Sequence, residues 1–350
     1  MAVIKKIVNR CFWSDLPRPF FVLAPMADVT DFAFREMFAR HGKPDVMFTE
    51  FVSVDGLCSK GFKNLIRELK YSAAQRPIVA QIWGVRPQNF YKSAILIKSL
   101  KFDGIDINMG CPQRKEVGLG ACAALIKHPK LAQEIILATK KGAGRVPVSV
   151  KTRIGFEKNE VEKWVGTLLA TKPAAITLHG RTARELSKVP ANWDVIARAV
   201  EIRNQKKSST LIIGNGDVKS LAEAKEKAEL FGVDGVMIGR GVFGNPWFFA
   251  PPINTKMRGI RRSSHTANEG GHGFDQINAQ RRLEAMLEHA RIFTKTIGKH
   301  RNFAVLRKHF KAYASGFDGA ATLRAELMKT ESLGETEKVV KSFLKSSLGF

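Results

Sequence analysis

The sequence predicts an α/β fold: a (β/α)8 TIM barrel followed by a smaller C-terminal helical domain. Eight short apolar, β-branched runs alternate with longer stretches of helical apolar spacing, which is the pattern of strand–helix units in a parallel barrel. These units occupy roughly 235 residues, close to the usual size of such a barrel. Polar or reactive residues follow nearly every run, as expected where strand ends form a functional rim.

Each predicted strand is a run in which apolar and β-branched residues precede a turn signal. The strands cover residues 20–24, 45–50, 77–82, 103–107, 146–151, 174–179, 210–214 and 234–238. Amphipathic stretches between them, such as 87–101 and 220–231, predict the surrounding helices. A doubly wound open sheet is the alternative, but such sheets collect their ligands at one switch point, whereas the candidate site residues here are spread over most strand ends.

Three parts are predicted along the chain. Residues 1–250 form the barrel, 251–275 a linker or mobile loop, and 276–350 the helical domain. Two prolines, a run of Arg and Ser, and three glycines interrupt the periodicity in the linker. Helical spacing returns strongly over residues 278–297.

The charge of the chain is its first functional signal. Among 350 residues, 57 are Lys or Arg and 32 are Asp or Glu, which gives a formal net charge of +25. Such an excess predicts a polyanionic partner, either nucleic acid or an anionic membrane surface. A hydrophobic content of 44% with 23 Phe excludes a disordered basic chain, because disordered segments lack that apolar surface.

Several classes of protein are excluded by pattern. No run approaches the ~18 apolar residues of a membrane span, and the N-terminus lacks the apolar core of a secretory signal. The 4 cysteines lack metal-ligand spacing, so we expect no bound metal and a reducing, cytoplasmic environment. We expect no membrane association and no obligate protein partner, and hence a monomer.

Glycines after the last two strands predict a phosphate site. Barrels often bind phosphate between these two loops, because backbone N–H groups there approach an anion closely. Arg240 adds a guanidinium that is suited to a phosphate. The alternative is that the glycines serve only tight turns. The glycines in question are Gly214, Gly216, Gly239 and Gly241.

Three further strand ends carry reactive side chains. Lys151 is either a Schiff-base nucleophile or a fixed positive charge beside an anionic cofactor, rather than a surface lysine. His179 is equally well explained as a core histidine that bonds to the backbone. Cys111 lies in a Gly-Cys-Pro turn, and a thiol with a pKa near ~8.5 is protonated at neutral pH and can donate a proton. Cys122 is interpreted as a helix-packing position.

Six strings of residues then stand in a recognisable order. They are APMADVTD at 24–31, DINMGCP at 106–112, VKTR at 150–153, HGRT at 179–182, GNGD at 214–217, and MIGRG at 237–241 followed by GNPW at 244–247. Together they resemble the dihydrouridine synthases, flavoenzymes that reduce uridine in tRNA. The match spans residues 20–250.

The resemblance implies bound FMN, with NADPH or NADH as the reductant. Residues at the flavin face would be Pro25, Met26 and Ala27. Hydrogen bonds to the flavin ring would come from Gln81, Lys151 and His179. The ribityl chain and phosphate would be held by Asn215, Gly216, Asp217, Gly239 and Arg240.

The resemblance also implies how the substrate binds and reacts. Asn108 would face an extruded uracil, with Arg153 and Arg181 as further substrate-binding residues. Hydride would pass from the reduced flavin to C6 while Cys111 protonates C5. The helical domain and the barrel rim would hold tRNA, mainly through its phosphates.

Three alternatives remain open on sequence. A dihydroorotate dehydrogenase-type barrel acting on a free pyrimidine would share the flavin and the lysine, but it gives no reason for the basic charge. A non-catalytic RNA-binding barrel would purify colourless. A Schiff-base aldolase would use Lys151 as its nucleophile.

Overall fold

The structure is a computed structural model that describes residues 11–251 and 279–348, so most of the predicted linker lies outside the described residues. Nine strands of the described residues form one sheet in which every pairing is parallel. They are β1 Phe20–Leu23, β2 Val46–Phe48, β3 Val52–Ser53, β4 Ile78–Trp83, β5 Gly104–Met109, β6 Val148–Arg153, β7 Ala175–His179, β8 Leu211–Asn215 and β9 Gly235–Ile238.

Closure of the sheet makes it a barrel. Strand β1 pairs with both β2 and β9, and β2 pairs with β4, so that eight strands form a ring. The short β3 is an addition beside β4, where Val52 pairs with Ile82. The predicted fold class, a (β/α)8 barrel followed by C-terminal helices, is confirmed.

Helices connect the strands and continue beyond the barrel. They are α1 Phe12–Asp15, α2 Phe32–His41, α3 Val54–Leu57, α4 Phe62–Leu65, α5 Pro87–Ser99, α6 Arg114–Gly118, α7 Pro129–Ala143, α8 Val161–Leu169, α9 Trp193–Gln205, α10 Leu221–Phe231, α11 Ala279–Thr296, α12 Arg307–Tyr313, α13 Ala320–Leu327 and α14 Leu333–Leu348. Capping residues explain several starts: Asp31 Oδ1 accepts the Phe34 N–H at 2.9 Å, and Pro87 opens α5. Over residues 11–251 and 279–348, no helix has the length and apolar content that crossing a membrane requires.

Three strands end two residues from the predicted position, and the other five barrel strands end within one residue of it. The predicted strand 45–50 ends as β2 at Phe48, because the Thr49 hydroxyl replaces ladder bonds: it accepts the Gln81 N–H at 3.1 Å and donates to the Glu50 carbonyl at 2.8 Å. Strands β5 and β6 each run two residues beyond the predicted ends at 107 and 151. Polar side chains interrupt the apolar pattern there, yet the parallel ladder continues.

Apolar side chains fill the lower part of the barrel. Trp13 of α1 packs on Phe20 and Phe48, with ring centroids 5.6 and 6.5 Å away. The same core includes Val46 and Ile213, which are fully buried. This packed floor leaves the opposite end, at the C-terminal ends of the strands, as the place for polar chemistry. We call that end the barrel mouth.

The C-terminal helices share a core with the barrel. Ala33 and Met37 of α2 are fully buried in one cluster with Leu283, Met286 and Phe310. Helix α2 therefore has two apolar faces, one toward the strands and one toward α11 and α12.

Close packing of α5 on α7 gives a stability test. A Cβ on Gly142 would overlap the Tyr91 carbonyl oxygen and lie 3.0 Å from the Ala94 Cβ. We expect Gly142→Ala to lower the free energy of unfolding by about 1–3 kcal/mol, because the two helices must separate. The matched control is Gly166→Ala within α8, where a Cβ meets only the flexible Lys206 at 3.4 Å and should stabilise by about 0.5–1 kcal/mol. Equal urea midpoints for the two variants would contradict the close packing.

Candidate active site

A chain of buried hydrogen bonds lies directly beneath the barrel mouth. Gln81 Nε2 donates to Asp106 Oδ2 at 2.8 Å, and Ser149 Oγ donates to Asp106 Oδ1 at 2.6 Å. Asn108 Nδ2 in turn donates to Gln81 Oε1 at 3.2 Å. Burial raises the pKa of Asp106 to about 6, opposed by these hydrogen bonds, so the carboxylate is still the main form at neutral pH. The chain fixes which way the two amides point.

Asn108 also shapes the turn that carries Cys111. Its Oδ1 accepts the Gly110 N–H at 3.1 Å and the Cys111 N–H at 3.0 Å. From the other side, Arg153 Nε donates to the Gly110 carbonyl at 2.9 Å. The Cys111 carbonyl accepts the Ala123 N–H at 3.2 Å, which ties the turn to the following segment.

Cys111 is paired with a second thiol. Cys122 is buried, as its predicted packing role requires, and it also hydrogen-bonds to the Cys111 sulfur. This hydrogen bond, opposed by burial, lowers the pKa of Cys111 to about 7. The bond and burial both raise the pKa of Cys122, which stays a thiol. The sequence argument assumed an ordinary thiol pKa for Cys111, whereas the neighbouring Cys122 lowers it.

Lys151 and Asn215 form the next part of the mouth. The register of β5 and β6 sets Asn108 beside Lys151, so the amide and the cation stand on adjacent strands. Lys151 Nζ donates to Asn215 Oδ1 at 3.1 Å, and Asn215 Nδ2 donates to the Met237 carbonyl at 2.8 Å. Burial, with a contribution from Arg153, lowers the pKa of Lys151 to about 8, so most of it carries a charge at pH 7.

His179 lies among cations and is neutral. Its Nε2 is 3.1 Å from Arg181 Nη1, and because a guanidinium only donates, Nε2 accepts this hydrogen bond. Burial, reinforced by the charge of Lys151 and other cations, holds the pKa of His179 far below its usual range. The ring therefore bonds to a side chain, rather than to the backbone as one sequence interpretation had it.

Asp217 binds two arginines at the rim of the mouth. Asp217 accepts hydrogen bonds from Arg181, from Arg240 Nη2 at 3.2 Å and from the Ala191 N–H at 2.8 Å. Arg240 keeps 64% of its side chain exposed, so its guanidinium is free to meet a ligand as well.

Glycines at this rim allow the backbone to lie very close to neighbouring side chains. Gly216 has a φ of +132°, and a Cβ there would lie 2.5 Å from the Ala191 Cβ and 3.2 Å from the His179 ring. Gly239 faces Met26, whose sulfur would be 3.6 Å from an added Cβ. The loops after β1, β8 and β9 therefore converge on one space.

The structure brings most of the predicted residues together at the mouth, with two qualifications. Arg153 donates to the Gly110, Thr182 and Leu186 carbonyls, and Arg181 donates to the Val189 carbonyl. Their side chains are 7% and 3% exposed, so the guanidinium groups act first within the protein. Their substrate-binding role stays a prediction.

Sequence reasoning gave no site role to three residues that support this site: Asp106, Ser149 and Cys122. The signal for Asp106 was present, because it is a carboxylate inside an otherwise apolar strand. The partnership of Cys122 with Cys111 had only one sequence signal, their occurrence in the same connection between β5 and α7.

Comparison with known proteins decides the family. The family model described as "Dihydrouridine synthase (Dus)" matches residues 22–348. A "Probable tRNA-dihydrouridine synthase" of Staphylococcus aureus (strain COL) is 39% identical over 335 residues, which are 95% of this chain and 95% of the relative.

The chain belongs to the dihydrouridine synthase family.

Another similar member is the "Probable tRNA-dihydrouridine synthase 2" of Bacillus subtilis (strain 168), which is 38% identical over 95% of this chain and 96% of its own. Among solved structures, morphinone reductase in complex with tetrahydroNAD aligns with a TM-score of 0.46 and 12% identity, covering 65% of this chain and 84% of that chain. The resemblance drawn from the six strings is confirmed, and this dihydrouridine synthase is an oxidoreductase. The dehydrogenase-type, aldolase and non-catalytic alternatives are set aside.

The thiol pair of this dihydrouridine synthase can be tested by titration. Cys122→Ala removes the hydrogen bond that lowers the pKa of Cys111, so that pKa should rise from about 7. Because the thiolate is the form that reacts, the pH midpoint of Cys111 alkylation by iodoacetamide should move upward. Cys58→Ala, which removes an exposed cysteine, is the control and should leave the midpoint unchanged. An unchanged midpoint in Cys122→Ala would show that the pair does not exist in solution.

Proposed function

We propose that this protein reduces the C5–C6 double bond of uridines in tRNA, with FMN as its bound cofactor and NADPH or NADH as reductant. One observation carries the proposal. The Cys111 thiol follows β5, and the Lys151 cation stands on the adjacent β6 with Asn108 beside it. Reduction of a polarised double bond needs an acid at one carbon and a charged environment for the electron donor at the other.

The residues at the mouth fit FMN. A flavin phosphate needs cations and close backbone N–H groups, which Arg240 and the glycine loops at 216 and 239 supply. Ribityl hydroxyls need acceptors and donors, which the Asp217 carboxylate and the Asn215 amide supply. The flavin ring needs a flat apolar face and polar groups at its edge. The loop of Pro25, Met26 and Ala27 would provide the face, and Gln81, Lys151 and His179 the edge.

When bound and reduced, FMN supplies the hydride that C6 of the uracil accepts. Lys151 stays mostly cationic at pH 7, so it would hold a positive charge beside the bound flavin. Asn108, fixed by Gln81, would orient the uracil edge. Cys111 would then deliver the proton to C5 and regain it from water. A pKa of about 7 suits this cycle, because proton donors work best when their pKa lies near the working pH.

The basic surface supports RNA as the substrate class. Binding of a free pyrimidine would not require a net charge of +25, whereas such a charge is suited to the many phosphates of a folded tRNA. We assign that contact to the C-terminal helices together with the rim of the mouth. We further propose that the enzyme is cytoplasmic and monomeric. The C-terminal region includes the basic residues Arg281, Arg282, Arg291, Lys295, Lys299, Arg301, Arg307, Lys308 and Lys311. Of these, Arg282 and Arg301 are largely buried and bind within the protein, so we do not assign the RNA contact to them.

A visible absorption spectrum tests this function directly. The purified protein should show a flavin band that NADPH bleaches without oxygen, and unmodified tRNA should restore the band while a free uridine nucleotide does not. Fully modified tRNA is the control. A colourless protein that FMN cannot reconstitute, or a bleached band that tRNA never restores, would contradict the proposal.

Cys111→Ala tests the proton donor. We expect flavin binding and reduction by NADPH to be retained, while tRNA-dependent reoxidation falls about 10²–10⁴-fold, the usual contribution of a general acid. Cys58→Ala, which removes an exposed cysteine that contacts Asn89 and Ser93 of α5, should retain full activity. Reoxidation of Cys111→Ala at the wild-type rate would assign the proton to another donor.

A further inference from the structure

The conformation of the loop at residues 24–31 is stabilised by hydrogen bonds within the loop and by a hydrogen bond from outside it. Inside the loop, Thr30 Oγ1 accepts the Met26 N–H at 2.9 Å. Asp28 has a φ of +56°, a left-handed conformation that residues other than glycine rarely adopt without support. That support comes from Glu50, whose Oε1 accepts the Asp28 N–H at 2.5 Å. The conformation of a loop assigned to the flavin face thus depends on a side chain beyond β2.

Glu50 is bound in turn by an arginine from the C-terminal region. Arg301, which follows α11, places Nη2 2.9 Å from Glu50 Oε2 and Nη1 3.4 Å from Glu50 Oε1. Arg301 also contacts Glu68, and its side chain is only 17% exposed. One carboxylate therefore touches both the loop at the mouth and the helices beyond the barrel.

The charges around Glu50 make it sensitive to Arg301. Burial raises the pKa of Glu50 to about 7, Arg301 opposes this rise, and nearby Asp31 and Glu68 reinforce it. Arg35 also faces the cluster, but its guanidinium is engaged by Thr30, Lys70 and Gln75. Without Arg301, Glu50 would take up a proton at neutral pH and bind the Asp28 N–H more weakly.

Arg301 is not needed to keep the helices in place. The shared core of Ala33 and Met37 remains without it, and so does a second ion pair across the same boundary. In that pair Glu288 of α11 lies 3.0 Å from Arg40 and 2.7 Å from His41. Arg301 reaches the loop through Glu50, and its Nη1 also lies 4.0 Å from Asp31 Oδ2 at the end of the loop.

We propose that Glu50 and Arg301 are positioning residues that couple the seating of the C-terminal helices to the loop bearing Pro25, Met26 and Ala27. The inference rests on the proposed function, in which those helices bind RNA and that loop faces FMN. RNA bound to the helices would then set the loop for hydride transfer to uracil. Reduction by NADPH, which needs no RNA, would depend less on the link.

The test uses the full-length flavin-loaded enzyme and three variants: Arg301→Gln, Glu50→Gln and the double variant. Visible circular dichroism of the bound flavin reports the loop, because it responds to the asymmetry around the ring. We expect both single variants to change this spectrum in the same way. Each should slow tRNA-dependent reoxidation about ten- to a hundredfold, the cost of a small misplacement of reacting groups, with NADPH reduction within about twofold of wild type.

The double variant separates coupling from two independent effects. If Arg301 acts through Glu50, either substitution leaves a neutral group at position 50, and the double variant is no slower than the single ones. If the rate losses of the two single variants instead multiply in the double variant, the proposal is wrong. Glu288→Gln is the matched control, because it removes an ion pair across the same boundary without touching the loop; its flavin spectrum and reoxidation rate should match wild type.

Arg301→Lys is a conservative variant that controls for a loss of folding in Arg301→Gln. It keeps the charge beside Glu50 but loses the two-pronged contact, so its spectrum and rate should fall between wild type and Arg301→Gln. A wild-type flavin spectrum in all the variants would overturn the coupling alone. A wild-type enzyme that binds no flavin, or that tRNA does not reoxidise, would overturn the proposed function and this inference with it.

Discussion

Parallel closure of the barrel is the constraint on which the rest of the molecule depends. Because β1 pairs with both β2 and β9, and β2 pairs with β4, every strand delivers its C-terminal end to one ring. Residues far apart in the chain, such as Asn108, Lys151 and Asn215, become neighbours without any local sequence relationship. The packed floor under Trp13 confines polar groups to that ring, so chemistry has a single place to occur.

The mouth contains several cationic side chains, and carboxylates hold the side chains there in place. Asp217 gathers Arg181 and Arg240, and the Asp106 carboxylate anchors the amides below them. Burial shifts Lys151 and His179 toward their neutral forms, which brings the pKa of Lys151 to about 8 and keeps His179 uncharged. The cationic side chains at the mouth are thus partly balanced by Asp106 and Asp217.

Sequence reasoning predicted the eight barrel strands and the mouth residues because apolar periodicity and strand-end chemistry are local properties. It placed the ends of β5 and β6 too early, since periodicity fades where inward-facing residues turn polar, as at Asn108 and Arg153. It missed the hydrogen bond of Cys122 to Cys111, which depends on the path of the intervening loop. The contact of Glu50 with Arg301 joins residues from opposite ends of the chain and leaves no trace in local spacing.

The two-sided helix α2 has a consequence for the order of folding. Ala33 and Met37 emerge early in synthesis, but Leu283 and Phe310, which cover them, emerge late. Until then, a barrel that is otherwise complete presents an apolar stripe to its surroundings, which is the kind of surface that chaperones bind and that promotes aggregation. The last helices thus act as the closing step of biogenesis, and a ribosome that stops short of them releases a chain prone to association.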